Sequence, residues 1–88
     1  MKYNVTLSNN AKKDFKNLVR IPEKDYKQLQ SKIYSLSENP RPIGSIKLKG
    51  VFNTYRIRSG DYRIIYEIID DELKVLVITI GDRKNVYK

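Results

Sequence analysis

Residues 55–66 of this 88-residue chain read Tyr-Arg-Ile-Arg-Ser-Gly-Asp-Tyr-Arg-Ile-Ile-Tyr. Two strand-like runs flank Gly60 and Asp61, and a two-residue connection with glycine first suits a type II′ turn. We therefore predict a β-hairpin here. This hairpin decides the fold, because its register determines which side chains share a face of the sheet.

The predicted turn sets five cross-strand pairs. Counting outward from it, these are Ser59–Tyr62, Arg58–Arg63, Ile57–Ile64, Arg56–Ile65 and Tyr55–Tyr66. Directly opposed residues point to the same side of a sheet, so Arg56, Arg58 and Arg63 share one face. The large apolar residues of the hairpin take the other face. We expect helices to cover the apolar face and solvent to reach the arginine face.

The arginine face has two interpretations. Arginines placed directly opposite each other repel, so folding gains nothing from the pair of Arg58 and Arg63. A bound phosphate makes the pair favourable, because a guanidinium group binds phosphate through two parallel hydrogen bonds. Alternatively, solvent screens these charges, or Glu67 or Asp61 pairs with them. The hairpin sequence alone leaves both interpretations open.

The first half of the chain has the periodicity of one strand and two helices. Residues 3–7 alternate as a strand, and the polar residues after them can cap a helix. Apolar residues then recur at helical spacing in two groups, which are Ala11, Phe15, Leu18 and Val19, and Tyr26, Leu29, Ile33 and Leu36. Pro22 separates the two groups and Pro40 follows the second. We predict an αα-hairpin.

The second half has the periodicity of strands from Ser45 onward, where Ile46 and Leu48 alternate with Lys47 and Lys49 until Gly50 interrupts the pattern. We predict strands over residues 52–58, 62–69 and 73–80, and the last is apolar on both sides, as in a central strand. The order is therefore β-α-α-β-β-β. We predict an α+β fold, with the helical hairpin packed on one face of a mixed, mostly antiparallel four-stranded sheet. Residues 1–88 are expected to form one domain.

Composition excludes several classes of function. The chain has 18 Lys and Arg residues against 10 Asp and Glu, a net charge of +8, and neither cysteine nor histidine. Disulfides, thiolate or histidine metal sites and histidine-dependent nucleophiles are excluded, and we expect no cofactor. No apolar run is long enough to span a membrane, and the first residues do not resemble a secretion signal. We expect a cytoplasmic protein that binds polyanions, nucleic acid first.

Three blocks carry a family resemblance. They are residues 47–50 (Lys-Leu-Lys-Gly), the hairpin at residues 55–66, and residues 77–87 (Val-Ile-Thr-Ile-Gly-Asp-Arg-Lys-Asn-Val-Tyr). In this order the chain resembles the RelE branch of the RelE/ParE toxin superfamily. The resemblance implies a microbial-RNase-like fold and a toxin of a toxin–antitoxin pair. It also implies mRNA cleavage in the ribosomal A site by attack of a 2′-hydroxyl group on the adjacent phosphate.

The resemblance also implies site residues. By position, the catalytic residues are Arg56, Arg58, Arg63, Arg83 and Tyr87, and the residues that bind substrate or ribosomal RNA are Lys47, Lys49 and Lys84. Arg63 would stabilise charge on the phosphoryl oxygens, Arg83 would act near the leaving 5′-oxygen, and Tyr87 would stack on a base or orient the attacking hydroxyl. Some members have lysine at the positions of Arg56 and Arg58. Arginine keeps its proton at any ordinary pH, so Glu67 is a candidate base.

The expected partners follow from the resemblance and from the charge. They are an acidic RelB-like antitoxin, ribosomal RNA and mRNA, and operator DNA only through the antitoxin complex, with no membrane. Without histidine, the ribosome must supply the alignment that drives the reaction, so free RNA should be cut poorly. Two alternatives stay open: a ParE-like poison of DNA gyrase, and a non-catalytic basic module that binds nucleic acid.

Overall fold

The computed structural model describes residues 2–18 and 21–82. In this part of the chain two helices and five strands follow one another in the order β1-α1-α2-β2-β3-β4-β5. Their bounds are β1 Asn4–Leu7, α1 Asn9–Asn17, α2 Glu23–Ser35, β2 Ile46–Lys47, β3 Thr54–Ser59, β4 Tyr62–Ile69 and β5 Lys74–Asp82. The predicted α+β class and the two-helix hairpin are confirmed.

The strands form one mixed sheet in the order β1-β5-β4-β3-β2. Strand β1 pairs parallel to β5, and the other pairs are antiparallel. The prediction of four strands was wrong by one, because Ile46 and Lys47 add a two-residue edge strand to β3. Gly50 and Asn53 both have positive φ, so the backbone turns there and β3 begins at Thr54 instead of residue 52.

Both helices pack on one face of the sheet. Helix α1 begins where the Ser8 hydroxyl accepts a hydrogen bond from the Ala11 amide at 3.0 Å and donates one to the Ile78 carbonyl at 2.9 Å. This double contact fixes the start of the helix against β5. Ala11 is buried and Phe15 half-buried, as the spacing predicted, whereas Val19 lies outside the described residues. In α2, Leu29 and Ile33 are buried.

The core fills the space between the helices and the sheet. Its buried apolar residues are Ala11, Leu29, Ile33, Leu36, Ile57, Ile64, Tyr66, Ile68, Val75, Val77 and Ile80. Strand β5 is central, as predicted, but a bulge interrupts its pairing with β4 between Ile65 and Tyr66. Val77 and Ile80 are three residues apart, and the bulge lets both point into the core.

A polar cluster ties the segment after α2 to the sheet. The Arg41 guanidinium donates hydrogen bonds to Asp70 at 2.8 Å and to the Tyr55 hydroxyl at 3.1 Å. The Tyr3 hydroxyl donates to the same carboxylate at 2.7 Å. These bonds, from Arg41 first and Tyr3 second, hold the pKa of Asp70 below its usual value. The cluster therefore connects the start of the chain and the segment after α2 to the end of β4 through one carboxylate.

A buried hydrogen bond also holds the segment after α2 against the core. The Tyr66 side chain is fully buried, and its hydroxyl donates to the Pro40 carbonyl at 2.7 Å. Burial raises the pKa of Tyr66 to about 12. Residues 40–45 are thus fixed between the core and the Arg41 cluster, and they lead directly into β2.

Candidate active site

The hairpin has the register that its turn predicts. All five predicted pairs of β3 and β4 are present, including Arg58 with Arg63 and Arg56 with Ile65. Of the two turn residues only Gly60 has a positive φ, at 60°, which is the geometry of a type II′ turn. The turn therefore sets the positions of all three arginines.

The three arginines share the face of the sheet that is opposite the helices. Arg58 is exposed, whereas Arg56 and Arg63 are half-buried, and the Nε atom of Arg63 is enclosed by protein. Neither Glu67 nor Asp61 forms an ion pair with any residue of the described ranges. This removes the interpretation that these two carboxylates neutralise the arginines. The face can bind an anionic group through guanidinium groups on two adjacent strands.

Glu67 does not reach the arginine pair. It lies four residues from Arg63 along β4, which is roughly 13 Å at the rise of an extended strand. Thr54 is its cross-strand partner, so it lies toward the opposite end of the hairpin from the turn. A base at this distance cannot contact an atom that is bound between Arg58 and Arg63. The structure therefore gives no support to Glu67 as the base.

Two of the predicted lysines, Lys47 and Lys49, are exposed side chains in and just after β2. Lys47 is exposed and pairs with Tyr55, so its position in β2 is on the side of the sheet opposite Arg56. Lys49 is exposed in the connection between β2 and β3. Arg83, Lys84 and Tyr87 lie outside the described residues. Strand β5 pairs Gly81 with Arg63, so the described chain ends beside the arginine pair.

Sequence reasoning missed one cationic residue near the arginines. An open groove of about 500 Å³ runs between α2, the segment before β2, and β3, and its lining residues are Lys32, Ile43, Gly44, Ile46, Arg56, Ile57 and Arg58. A second hollow of about 500 Å³ shares Lys32 and Arg58 and continues to Gly60 at the hairpin turn. Lys32 precedes the buried Ile33, so its place beside the apolar stripe of α2 was the available signal.

The described residues offer no site for a metal. Among residues 2–18 and 21–82, no group of three or more carboxylate side chains is placed to hold a metal ion. No helix within these ranges is long and apolar enough to cross a membrane.

Comparison with known proteins identifies the family. The sequence matches the family described as the ParE toxin of the type II toxin–antitoxin system, parDE, over residues 5–87. The chain belongs to this toxin family. It is also 32% identical to the putative toxin RelE1 of Methanocaldococcus jannaschii over 91 residues, which cover 100% of the chain and 98% of that relative.

A further relative of the toxin is the mRNA interferase toxin RelE of Escherichia coli strain K12. The two are 41% identical over 64 residues, which cover 68% of this chain. The chain spans 66% of the length of that relative. The matches to proteins called RelE confirm the RelE branch that the three sequence blocks indicated.

Solved structures agree with this assignment. The toxin resembles a chain of the intact E. coli RelBE toxin–antitoxin complex, with a TM-score of 0.73 and 30% identity, covering 91% of this chain and 95% of that one. It also resembles a chain of the archaeal RelE–RelB complex from Pyrococcus horikoshii OT3, with a TM-score of 0.79 and 26% identity, covering 97% and 99%. The fold of the toxin is therefore the RelE fold.

Proposed function

We propose that this protein is the toxin of a type II toxin–antitoxin pair and a ribosome-dependent endoribonuclease that cuts mRNA in the A site. The observation that carries the proposal is the arginine face, on which Arg58 lies opposite Arg63 and Arg56 lies alongside. The names of the relatives support the activity, because the E. coli protein is an mRNA interferase. The proposed site of action is the cytoplasm, where ribosomes are found.

The proposed reaction breaks one phosphodiester bond. The 2′-oxygen of a nucleotide attacks the adjacent phosphorus, the bond from phosphorus to the 5′-oxygen breaks, and a 2′,3′-cyclic phosphate results. The attacking hydroxyl loses its proton and the leaving 5′-oxygen gains one. Arg56, Arg58 and Arg63 neutralise the charge that grows on the phosphoryl oxygens. One such positioned donor contributes about 3–4 kcal/mol to transition-state stabilisation.

Arg83, Lys84 and Tyr87, which lie outside the described residues, share the remaining roles with Lys47 and Lys49. Arg83 stabilises the leaving 5′-oxygen, and Tyr87 holds a base or the attacking hydroxyl. Lys47, Lys49 and Lys84 bind ribosomal RNA. The reaction also needs alignment of the attacking group, worth about 7–11 kcal/mol when the geometry is near attack. The ribosome supplies this alignment, so the purified toxin cuts free RNA poorly.

The proposed protein partner is an acidic antitoxin of the RelB type. The net charge of +8 favours an acidic partner, and the solved relatives named above are complexes of RelE with RelB. Operator DNA is contacted only through that complex.

A second candidate function is poisoning of DNA gyrase in the manner of ParE toxins. The name of the matched family favours it, whereas the RelE relatives and the arginine face favour RNA cleavage. A third candidate, a basic module without catalytic activity, shares the same surface.

One experiment separates the three functions. The toxin is induced in cells and the 5′ ends of mRNA are mapped, with Arg63→Gln as the inactive variant and Lys12→Gln, an exposed cation on α1, as its matched control. We expect cuts inside translated codons for the wild type and the control. In a purified ribosome assay, Arg63→Gln should be roughly 10²–10³-fold slower. Intact mRNA with induced DNA damage signalling would favour gyrase, and no effect on either would favour the non-catalytic module.

A further inference from the structure

The groove that contains Lys32 carries an excess of positive charge. Lys32 comes from α2, and Arg56 and Arg58 come from β3, so three cations from two elements line one hollow. No carboxylate stands among its described lining residues. Lys32 and Arg56 form no ion pair with any residue in ranges 2–18 and 21–82. The charges of Lys32 and Arg56 can therefore be neutralised by a bound anion.

The same groove has an apolar platform. The Ile43 side chain is fully exposed at 103%, and Ile46 is 48% exposed, although both are large β-branched residues. Exposed apolar area beside fixed cations fits a ligand that has a flat apolar part and an anionic part. A nucleotide has both, since its base can cover the isoleucines while its phosphate binds the cations.

The groove is continuous with the arginine face. Arg56 and Arg58 belong to both, and they lie two residues apart, about 7 Å along β3. A strand of RNA whose phosphate lies between Arg58 and Arg63 can therefore extend past Arg56 into the groove. An acidic peptide would also be attracted by the charge, but this continuity favours a polyanion with regularly repeated phosphates.

The wall of the groove is held in place before anything binds. The hydrogen bond from Tyr66 to the Pro40 carbonyl and the ion pair of Arg41 with Asp70 fix the chain on the approach to Ile43. A preformed wall lowers the entropic cost of binding a ligand against it.

We propose that this groove binds a second nucleotide of the RNA, adjacent in the strand to the nucleotide whose phosphate lies at Arg63. Lys32 binds its phosphate together with Arg56, and Ile43 and Ile46 contact its base. This inference rests on the proposed function, because it takes the ligand of the arginine face to be RNA. Lys32 is assigned a role in binding and none in the bond-breaking step.

The test measures binding away from the ribosome. Affinity of the full chain for a fluorescent single-stranded RNA tetranucleotide is followed as the salt concentration rises. Loss of one phosphate contact lowers the slope of log K against log salt by about 0.7 for single strands. We expect this change for Lys32→Ala and no change for Lys24→Ala, an exposed lysine on the same helix outside the groove. Lys32→Arg should restore the slope.

A second pair of variants tests the base contact. Ile43→Ser should weaken binding of the tetranucleotide but leave binding of the same backbone without bases unchanged. The matched control is Val51→Ser, at an exposed apolar residue outside the groove. Circular dichroism checks that each variant is folded. Should Lys32→Ala fail to fold, Lys32→Gln replaces it in the same measurement.

The outcomes separate this inference from the proposed function. If the wild type fails to cut ribosome-bound mRNA, only the proposed function falls, because the slopes are measured on free RNA. Equal slopes for Lys32→Ala and Lys24→Ala would overturn the proposal that the groove binds a nucleotide, whatever the result of the cleavage assay. Undetectable binding of the tetranucleotide by the wild type also overturns it. Equal RNA slopes together with weaker binding of the acidic antitoxin by Lys32→Ala would assign the groove to the antitoxin instead.

Discussion

Arg58 and Arg63 lie directly opposite each other on adjacent strands of the sheet, and Arg56 lies on the same face two residues from Arg58. Cross-strand pairs of like charge cost stability, by an amount in the range of roughly 0.2–1 kcal/mol. An anion bound between the two guanidinium groups would offset this cost. A site formed by two opposed guanidinium groups should therefore respond measurably to an anion.

The first prediction is that inorganic phosphate stabilises the protein more than chloride does at equal ionic strength. A ligand at ten times its Kd adds about 1.4 kcal/mol to the free energy of unfolding. For a domain of this size, each kcal/mol raises Tm by roughly 4–8 °C. Arg58→Gln should lose the rise that is specific to phosphate, and Lys12→Gln should keep it. Equal Tm values of the wild type in the two salts would contradict an anion site here.

A second prediction concerns the turn residue Gly60. Its φ of 60° is in the left-handed region, where a residue with a Cβ atom costs roughly 1–2 kcal/mol. Gly60→Ala should therefore lower the urea midpoint and slow cleavage of ribosome-bound mRNA, because a strained turn shifts Arg58 relative to Arg63. Asp61→Ala, at the other turn residue, is the control and should leave stability nearly unchanged. Unaltered stability of Gly60→Ala would show that the turn is of another type.

Tyr66 gives a third prediction, at alkaline pH. Tyr66→Phe leaves the Pro40 carbonyl without its donor, which should cost about 1–3 kcal/mol at neutral pH. The pKa of Tyr66 is raised to about 12, so the unfolded chain releases this proton first as pH rises. Stability of the wild type should therefore fall between about pH 10 and about pH 12.

Urea unfolding at neutral and at alkaline pH measures both effects of Tyr66. The Phe variant should show a smaller alkaline loss than the wild type. Tyr34→Phe, at an exposed tyrosine, should behave like the wild type in both respects. Equal alkaline losses in the Tyr66→Phe variant and the wild type would mean that the hydroxyl is not held protonated by burial.

A fourth prediction concerns acid. Hydrogen bonds from Arg41, and then from Tyr3, lower the pKa of Asp70 in the folded protein. The stability that they provide is present above the ordinary carboxyl pKa of about 4 and is lost as pH falls through the lower folded value. The wild type should thus lose more stability than Asp70→Asn between about pH 5 and about pH 2. Thermal unfolding across this range tests the difference, with Asp71→Asn as the neighbouring control. Parallel curves for the wild type and Asp70→Asn would refute it.

The sequence was sufficient for the parts of the fold that depend on local pattern. A two-residue turn at Gly60 leaves one register for the hairpin, so the opposition of Arg58 and Arg63 could be predicted without a structure. The helical spacing of Leu29 and Ile33 likewise identified the buried side of α2. The exposed face and the covered face followed from alternation along the strands alone.

Contacts between distant segments could not be predicted in this way. Arg41 and Asp70 are 29 residues apart, and no local periodicity links them. The alternation of residues 46–49 indicated an extended segment, but it could not show that Ile46 and Lys47 pair with β3 as a fifth strand. From the sequence, Lys32 cannot be distinguished from the other solvated lysines of an amphipathic helix. Its position in the groove is a property of the packing of α2 and β3.

The parallel pairing of β1 with β5 has a consequence for synthesis. Val5 pairs with Val75, so about 70 further residues must be synthesised before the first strand can pair with β5. Strand β5 also pairs with β4 and supplies Val75, Val77 and Ile80 to the core. The nascent chain can therefore form the arginine hairpin early but cannot close its core until β5 has emerged. The arginine face can thus exist as a hairpin before the fold that supports it is complete.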